Sequence, residues 1–143
     1  MARKDCLKIL SGVSQGLTII LFFNLILRLP SLFEPYWYGD EGIYLTLGMA
    51  LRKGLVIYKD IHDNKPPLLY LVAAVTGTQF WFRFALLAWN SVNAYLVYLL
   101  AKKIFNQEKL AVVSTFLFVI FSLLPEGNIA NGEIFMIMPT TAA

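Results

Sequence analysis

Gly39-Asp40-Glu41-Gly42-Ile43-Tyr44 opens, and His62-Asp63-Asn64-Lys65-Pro66-Pro67 closes, a polar island in a chain that is otherwise apolar. Between them lie Gly54, Tyr58 and Asp60. Of the nine acidic residues, five fall between Glu34 and Asp63. This stretch decides the fold because long apolar runs flank it on both sides. If those runs cross a bilayer, the island is the loop between two crossings.

The composition favours that reading. The 143 residues are 58% hydrophobic and only 15% charged, with a mean hydropathy of +0.64. A soluble domain carries roughly 45–50% apolar and about 25% charged residues. The net charge of +3 is spread along the chain rather than gathered into a basic stripe, so nucleic acid is not an expected partner. Cys6 is the single cysteine, which excludes an intramolecular disulfide.

Outward from the island toward the N-terminus, Ile9 to Leu29 matches the roughly 20 residues needed to span hydrocarbon. Arg3, Lys4 and Lys8 precede it, which predicts a cytoplasmic N-terminus. A cleaved signal peptide is the rival, but no small-x-small cleavage site follows Leu29. Pro30 ends the span, and Tyr36-Trp37-Tyr38 suits the headgroup layer. From Asp40 to Lys53 the residues Ile43, Leu47, Ala50 and Leu51 share one helical face. This predicts a short surface helix stopped at Gly54. Leu55 to Lys65 reads as a loop, and Lys65-Pro66-Pro67 predicts a lysine at the mouth of a helix beginning at Pro66.

On the C-terminal side, Leu68 to Thr78 is too short to cross, whereas Phe82 to Ala101 is long enough. Lys102, Lys103 and Lys109 then form a basic loop expected on the cytoplasmic side. With the N-terminus also inside, one crossing separates the island from these lysines, so Leu68 to Thr78 stays outside with Arg83 at the outer interface. Two crossings is the alternative, and it puts the lysines outside. A third span is expected over residues 109–125, then an outer segment with Glu126 and Glu133. Residues 134–143 read as the opening of another span, as if the chain were truncated. The expected fold is therefore an all-α membrane protein: a multi-spanning helix bundle with a large first outer loop, residues 30–81, holding short interfacial helices.

The residues alone outline a chemistry. Asp40 and Glu41 sit where a helix N-terminus favours the ionised form, and an ionised carboxylate can take a proton from a hydroxyl. Lys65 and Arg83, both cations of the outer side, suit a phosphate or pyrophosphate. Each has a plainer reading. Asp40 is also a good helix cap, Asp63-Asn64-Lys65-Pro66 is also an ordinary turn, and interfacial cations often anchor helices to headgroups. His62 with Asp60, Asp63 and Glu41 matches no compact metal-ligand spacing. No metal site or cofactor is therefore assigned, although a divalent ion stays open. Trp89, Tyr95 and Tyr98 read as packing, and Asn90 and Asn93 as hydrogen-bonding a neighbouring helix.

The order of these motifs carries a resemblance. A basic start and one span lead to Asp40-Glu41-Gly42-x-Tyr44, Gly54-x-x-x-Tyr58-x-Asp60 and Asp63-x-Lys65-Pro66-Pro67-Leu68. Arg83-Phe84 then opens a span, and Asn131-x-Glu133-x-Phe135 follows a basic loop. This resembles the N-terminal part of membrane glycosyltransferases that use polyprenyl-phosphate sugars (glycosyltransferase C fold), similar to protein O-mannosyltransferases and the lipid A aminoarabinose transferase. The resemblance implies transfer of a sugar, with inversion, from a polyprenyl-phosphate donor to a hydroxyl on a lipid, glycan or protein. The reaction is expected on the outer face of the cell membrane.

It also implies Asp40 as general base, with Glu41 completing the catalytic pair. Lys65, Arg83, Tyr58 and His62 are expected near the donor phosphate, and Glu133 as the acidic residue of the second outer loop. Such enzymes are longer, so this stretch alone is not expected to be active. The competing reading is a transporter or flippase fragment. Transport sites place ionisable groups near the bilayer middle, and here the charges gather in one loop instead.

Overall fold

In the computed structural model of the chain, the described residues are 14–35, 38–124, 129–130 and 132–143. The basic start with Cys6, Tyr36, Trp37, residues 125–128 and Asn131 lie outside them. The described part is helical: α1 (Gln15–Arg28), a 3-10 turn (Pro30–Phe33), α2 (Gly39–Arg52), α3 (Pro67–Thr76), α4 (Gln79–Phe105), α5 (Glu108–Phe121) and α6 (Gly132–Ala142). A single isolated bridge, Ile57 to Ile61, is the only extended pairing among the described residues.

Two segments are long and apolar enough to cross a membrane: Gln15–Phe33, 19 residues, and Gln79–Phe105, 27 residues. The helix over the third expected span is shorter, at 14 residues. α4 is the axis, packing against α1, α3, α5 and α6.

The bundle buries several polar side chains beside its apolar core and turns large apolar ones outward. Asn24, Arg28, Asn90, Asn93 and Thr115 are buried, while Ile19, Phe22, Val92, Phe116 and Phe121 face outward. Inside, Arg28 donates to the Ser122 carbonyl at 2.8 Å, and Asn90 reaches Asn24 at 3.2 Å. Asn90 thus behaves as expected. Asn93 does not: its buried amide meets no hydrogen-bond partner among the described residues.

The helix ends follow local chemistry. Ser14 caps α1 by accepting from the Leu17 amide, and Thr78 caps α4 by accepting from that of Trp81. α3 starts at Pro67 with Pro66 as its cap and stops at Gly77, whose φ of +70° costs a Cβ-free residue little. α6 contains Pro139, which cannot donate to the Phe135 carbonyl four residues back. The Trp89 indole N–H takes that place at 3.0 Å. Trp89 is thus more than packing: it fixes α6 to α4 at the helix's own defect.

Of the face shared by Ile43, Leu47, Ala50 and Leu51, Leu47 and Leu51 pack against the core while Ile43 is 49% exposed on α2. α2 buries Glu41, Tyr44, Leu45 and Gly48. The reason is a close crossing. A Cβ on Gly48 would lie 2.6 Å from the Ala74 nitrogen and 2.7 Å from the Ala73 carbonyl carbon. The smallest residue, not the apolar period, sets how α2 meets α3. Beneath the crossing, Tyr44, Leu69, Tyr70, Phe82, Ile134 and Phe135 share one apolar core.

Candidate functional site

Two ion pairs organise the polar island. The first is Glu41 with Arg83, both fully buried. Arg83 Nε donates to Glu41 Oε1 at 2.8 Å and Nη2 to Oε2 at 2.7 Å. Its Nη1 donates to the carbonyls of Ser31, at 2.6 Å, and Glu34, at 2.8 Å. Gln79 adds a donor to Glu41 at 3.3 Å. The exit of α1, the start of α2 and the start of α4 are thus tied at one guanidinium. A buried charge requires such pairing and saturation.

This geometry corrects the expectation for two residues. Arg83 has four of its donors engaged and no face turned to a phosphate, and Glu41 is closed off from any substrate hydroxyl. Both instead hold the next residue, Asp40, in place.

The second pair is Lys65 with Glu133, which are in direct contact. Here the side chains are 24% and 65% exposed. Lys65 is tied into the fold by its backbone: its N–H donates to the Tyr70 hydroxyl at 3.1 Å, and its carbonyl accepts from the Tyr58 hydroxyl at 2.5 Å. Tyr58 holds the loop in a left-handed conformation, φ +64°, rare for a side chain of its size. His62 lies edge-on to the Tyr58 ring. Tyr58 and His62 therefore shape the loop around Lys65, and Tyr58 reaches its backbone rather than its ammonium.

Asp40 is not the cap of α2; Tyr38 holds that position and Asp40 sits in the first turn. The Tyr44 hydroxyl, one turn on, donates to it at 3.4 Å. Burial pushes the Tyr44 phenol upward, and the charges of Asp40, Glu133 and Asp63 push it further. The Lys65 ammonium is raised chiefly by its hydrogen bond to Glu133, and also by the charges of Asp40 and Asp63. Glu133 is lowered chiefly by Lys65. Asp40, Asp63, Lys65 and Glu133, from α2, the loop and α6, thus share one electrostatic neighbourhood around Tyr44. No three His, Cys, Asp or Glu side chains among the described residues form a metal-ligand set.

Directly beside this cluster, an apolar groove of about 210 Å³ runs between α3 and α6. Pro66, Leu69, Val72, Gly132, Phe135 and Pro139 are among its walls. Gly132 brings α6 against the Lys65 stem: a Cβ there would lie 3.2 Å from Lys65 Cδ. Two of its walls, Pro66 and Gly132, are the chain neighbours of Lys65 and Glu133.

The chain matches no known protein family, no characterised protein and no solved structure. The case for function rests on geometry and on the motif resemblance.

Sequence reasoning grouped Asp40, Lys65 and Glu133; Lys65 and Glu133 are in contact, and the charge of Asp40 reaches Lys65. It missed Tyr70, Gln79 and Asp63 as supporting groups. Tyr44 was legible as the hydroxyl one helical turn after Asp40. Tyr70 and Gln79 read as members of apolar helices, with no local signal of their polar contacts.

Proposed function

We propose that the chain is part of a membrane glycosyltransferase that takes its sugar from a polyprenyl-phosphate donor. The observation carrying this reading is the Lys65–Glu133 pair, with the charge of Asp40 reaching Lys65, beside an apolar groove. An ammonium beside an apolar channel is complementary to an amphiphile with one anionic head. The hydrocarbon chain lies between α3 and α6, and the phosphate meets Lys65. The large apolar side chains turned outward on α1 and α4 support a hydrocarbon surrounding, with α1 and α4 as crossings.

In this mechanism Asp40 accepts the proton of the acceptor hydroxyl. The freed oxygen forms a bond to the anomeric carbon from the face opposite the phosphate. The bond from that carbon to the phosphate oxygen breaks, and polyprenyl phosphate leaves with its new charge against Lys65. The anomeric centre inverts. Glu41 and Arg83 act through Asp40, by fixing the start of α2.

The test is sugar transfer from a radiolabelled polyprenyl-phosphate donor in membranes expressing the protein at its native length. Asp40→Asn is expected to abolish transfer while leaving membrane insertion intact. Lys65→Ala is expected to raise the apparent donor KM. Unchanged turnover in Asp40→Asn removes Asp40 from the base role.

A second reading is transport, favoured by the buried network of Arg28, Asn24, Asn90 and Ser122 inside the bundle. Under it, Asn90→Ala stops flux across the membrane and Asp40→Asn does not.

A further inference from the structure

Glu133 occupies the position that an anion would take at Lys65. Its carboxylate touches the lysine ammonium from the first turn of α6. Lysine and helix amide are the two donors that a phosphate uses at a helix N-terminus. Around them stand Asp40 and Asp63, whose charges also reach Lys65. With Glu133 in place, the neighbourhood holds three carboxylates against one ammonium. A phosphate added on top of that set meets net repulsion, so it has to replace a carboxylate rather than join it.

Only Glu133 is placed to leave. Its side chain is 65% exposed and its contact is with a single side chain. Asp40 is half-buried and accepts from the Tyr44 hydroxyl, and Asp63 accepts from the Asn64 backbone N–H. Lys65, by contrast, cannot follow Glu133 outward. Tyr58 and Tyr70 hold its backbone, and Gly132 lies against its stem.

We propose that Glu133 is an exchangeable counter-anion that guards Lys65, and that a lipid monophosphate binds by displacing it from the lysine at the first turn of α6. This rests on the glycosyltransferase reading and adds to it a competition built into the site. The guard selects for ligands whose hydrocarbon chain, held in the α3–α6 groove, supplies the binding that a free phosphate lacks.

The experiment is equilibrium binding of farnesyl phosphate, and separately of inorganic phosphate, to the purified protein in detergent. Glu133→Gln keeps the shape and removes the competing charge. It is expected to tighten farnesyl phosphate binding about tenfold, and Lys65→Gln to weaken it by at least as much. Inorganic phosphate is expected to bind far more weakly in the unaltered protein and to gain from Glu133→Gln.

If the unaltered protein binds farnesyl phosphate and Glu133→Gln weakens or leaves that binding unchanged, the guard is overturned and the donor site stands. If neither protein binds farnesyl phosphate, the donor site and the guard both fall. Glu133→Asp is a second variant. Its shorter carboxylate reaches Lys65 less well, and its binding should fall between the other two. Tighter binding of inorganic phosphate than of farnesyl phosphate in the unaltered protein would overturn the role of the groove.

Discussion

The two ion pairs of the polar island use similar chemistry for opposite ends. Glu41–Arg83 and Lys65–Glu133 each join distant parts of the chain. Yet one is closed and the other open. Arg83 is 1% exposed, doubly bonded to Glu41 and capped by two carbonyls. Lys65 has one exposed partner and an apolar groove at its side. A saturated buried pair fixes geometry, whereas an unsaturated pair beside a groove can trade its partner. Charge alone does not mark a working residue; what matters is how many of its donors are already engaged.

The largest expected effect comes from breaking the closed pair. Glu41→Ala leaves a guanidinium buried without its carboxylate and should destabilise the fold by about 3–5 kcal/mol, read as thermal unfolding in detergent. Glu133→Ala at the open pair should cost no more than about 1 kcal/mol. Equal losses at the two sites would erase the distinction between them. Replacing Glu41 and Arg83 together by Leu and Met should recover much of the loss, because no lone charge then remains. Such a variant keeps the bundle but frees the start of α2, so Asp40 loses its fixed position.

An intermediate effect is expected where the helices cross. Gly48→Leu drives a side chain into the Ala73–Ala74 backbone and should cost about 1–3 kcal/mol or more. It acts at the crossing of α2 with α3 and so disturbs both pairs at once. Trp89→Phe keeps the aromatic packing but orphans the Phe135 carbonyl. About 1 kcal/mol should be lost, and α6, which carries Glu133, should exchange its amide hydrogens faster.

The smallest effect is with pH, and it sharpens the comparison at the open pair. Glu133 is lowered from the ordinary 4.5, so its tie to Lys65 is complete above that value and is lost as pH falls through the lower folded value. The raised Lys65 loses its part only as pH rises beyond the ordinary 10.5. Between these limits the Lys65–Glu133 contact, followed by NMR of the Lys65 ammonium, should not change.

The helices were legible because apolar runs, prolines and capping residues are local signals. Gly77 and Thr78 separate α3 from α4 as their types predict, and Pro66-Pro67 opens α3. The inward face of α2 was legible only in part, since a period of apolar residues cannot say that Gly48 will meet a backbone. The fate of Arg83 was hidden for a similar reason. Its four acceptors come from Ser31, Glu34 and Glu41, and nothing in the order of the chain brings those together. Asp40, Lys65 and Glu133 were legible as one set through motif order. The groove beside them was not, because it exists only where α6 returns to α3.

The central claim is that Asp40, Lys65 and Glu133 face one compartment and Lys103 the other. Cysteine accessibility tests it most directly. Cys6 is changed to Ser, single cysteines replace Asp40, Thr78, Lys103 or Glu133, and intact cells are treated with an impermeant thiol reagent. Labelling at 40, 78 and 133 with protection at 103 is the predicted result. Labelling at 103 with protection at 133 would divide the cluster across the membrane and contradict the account.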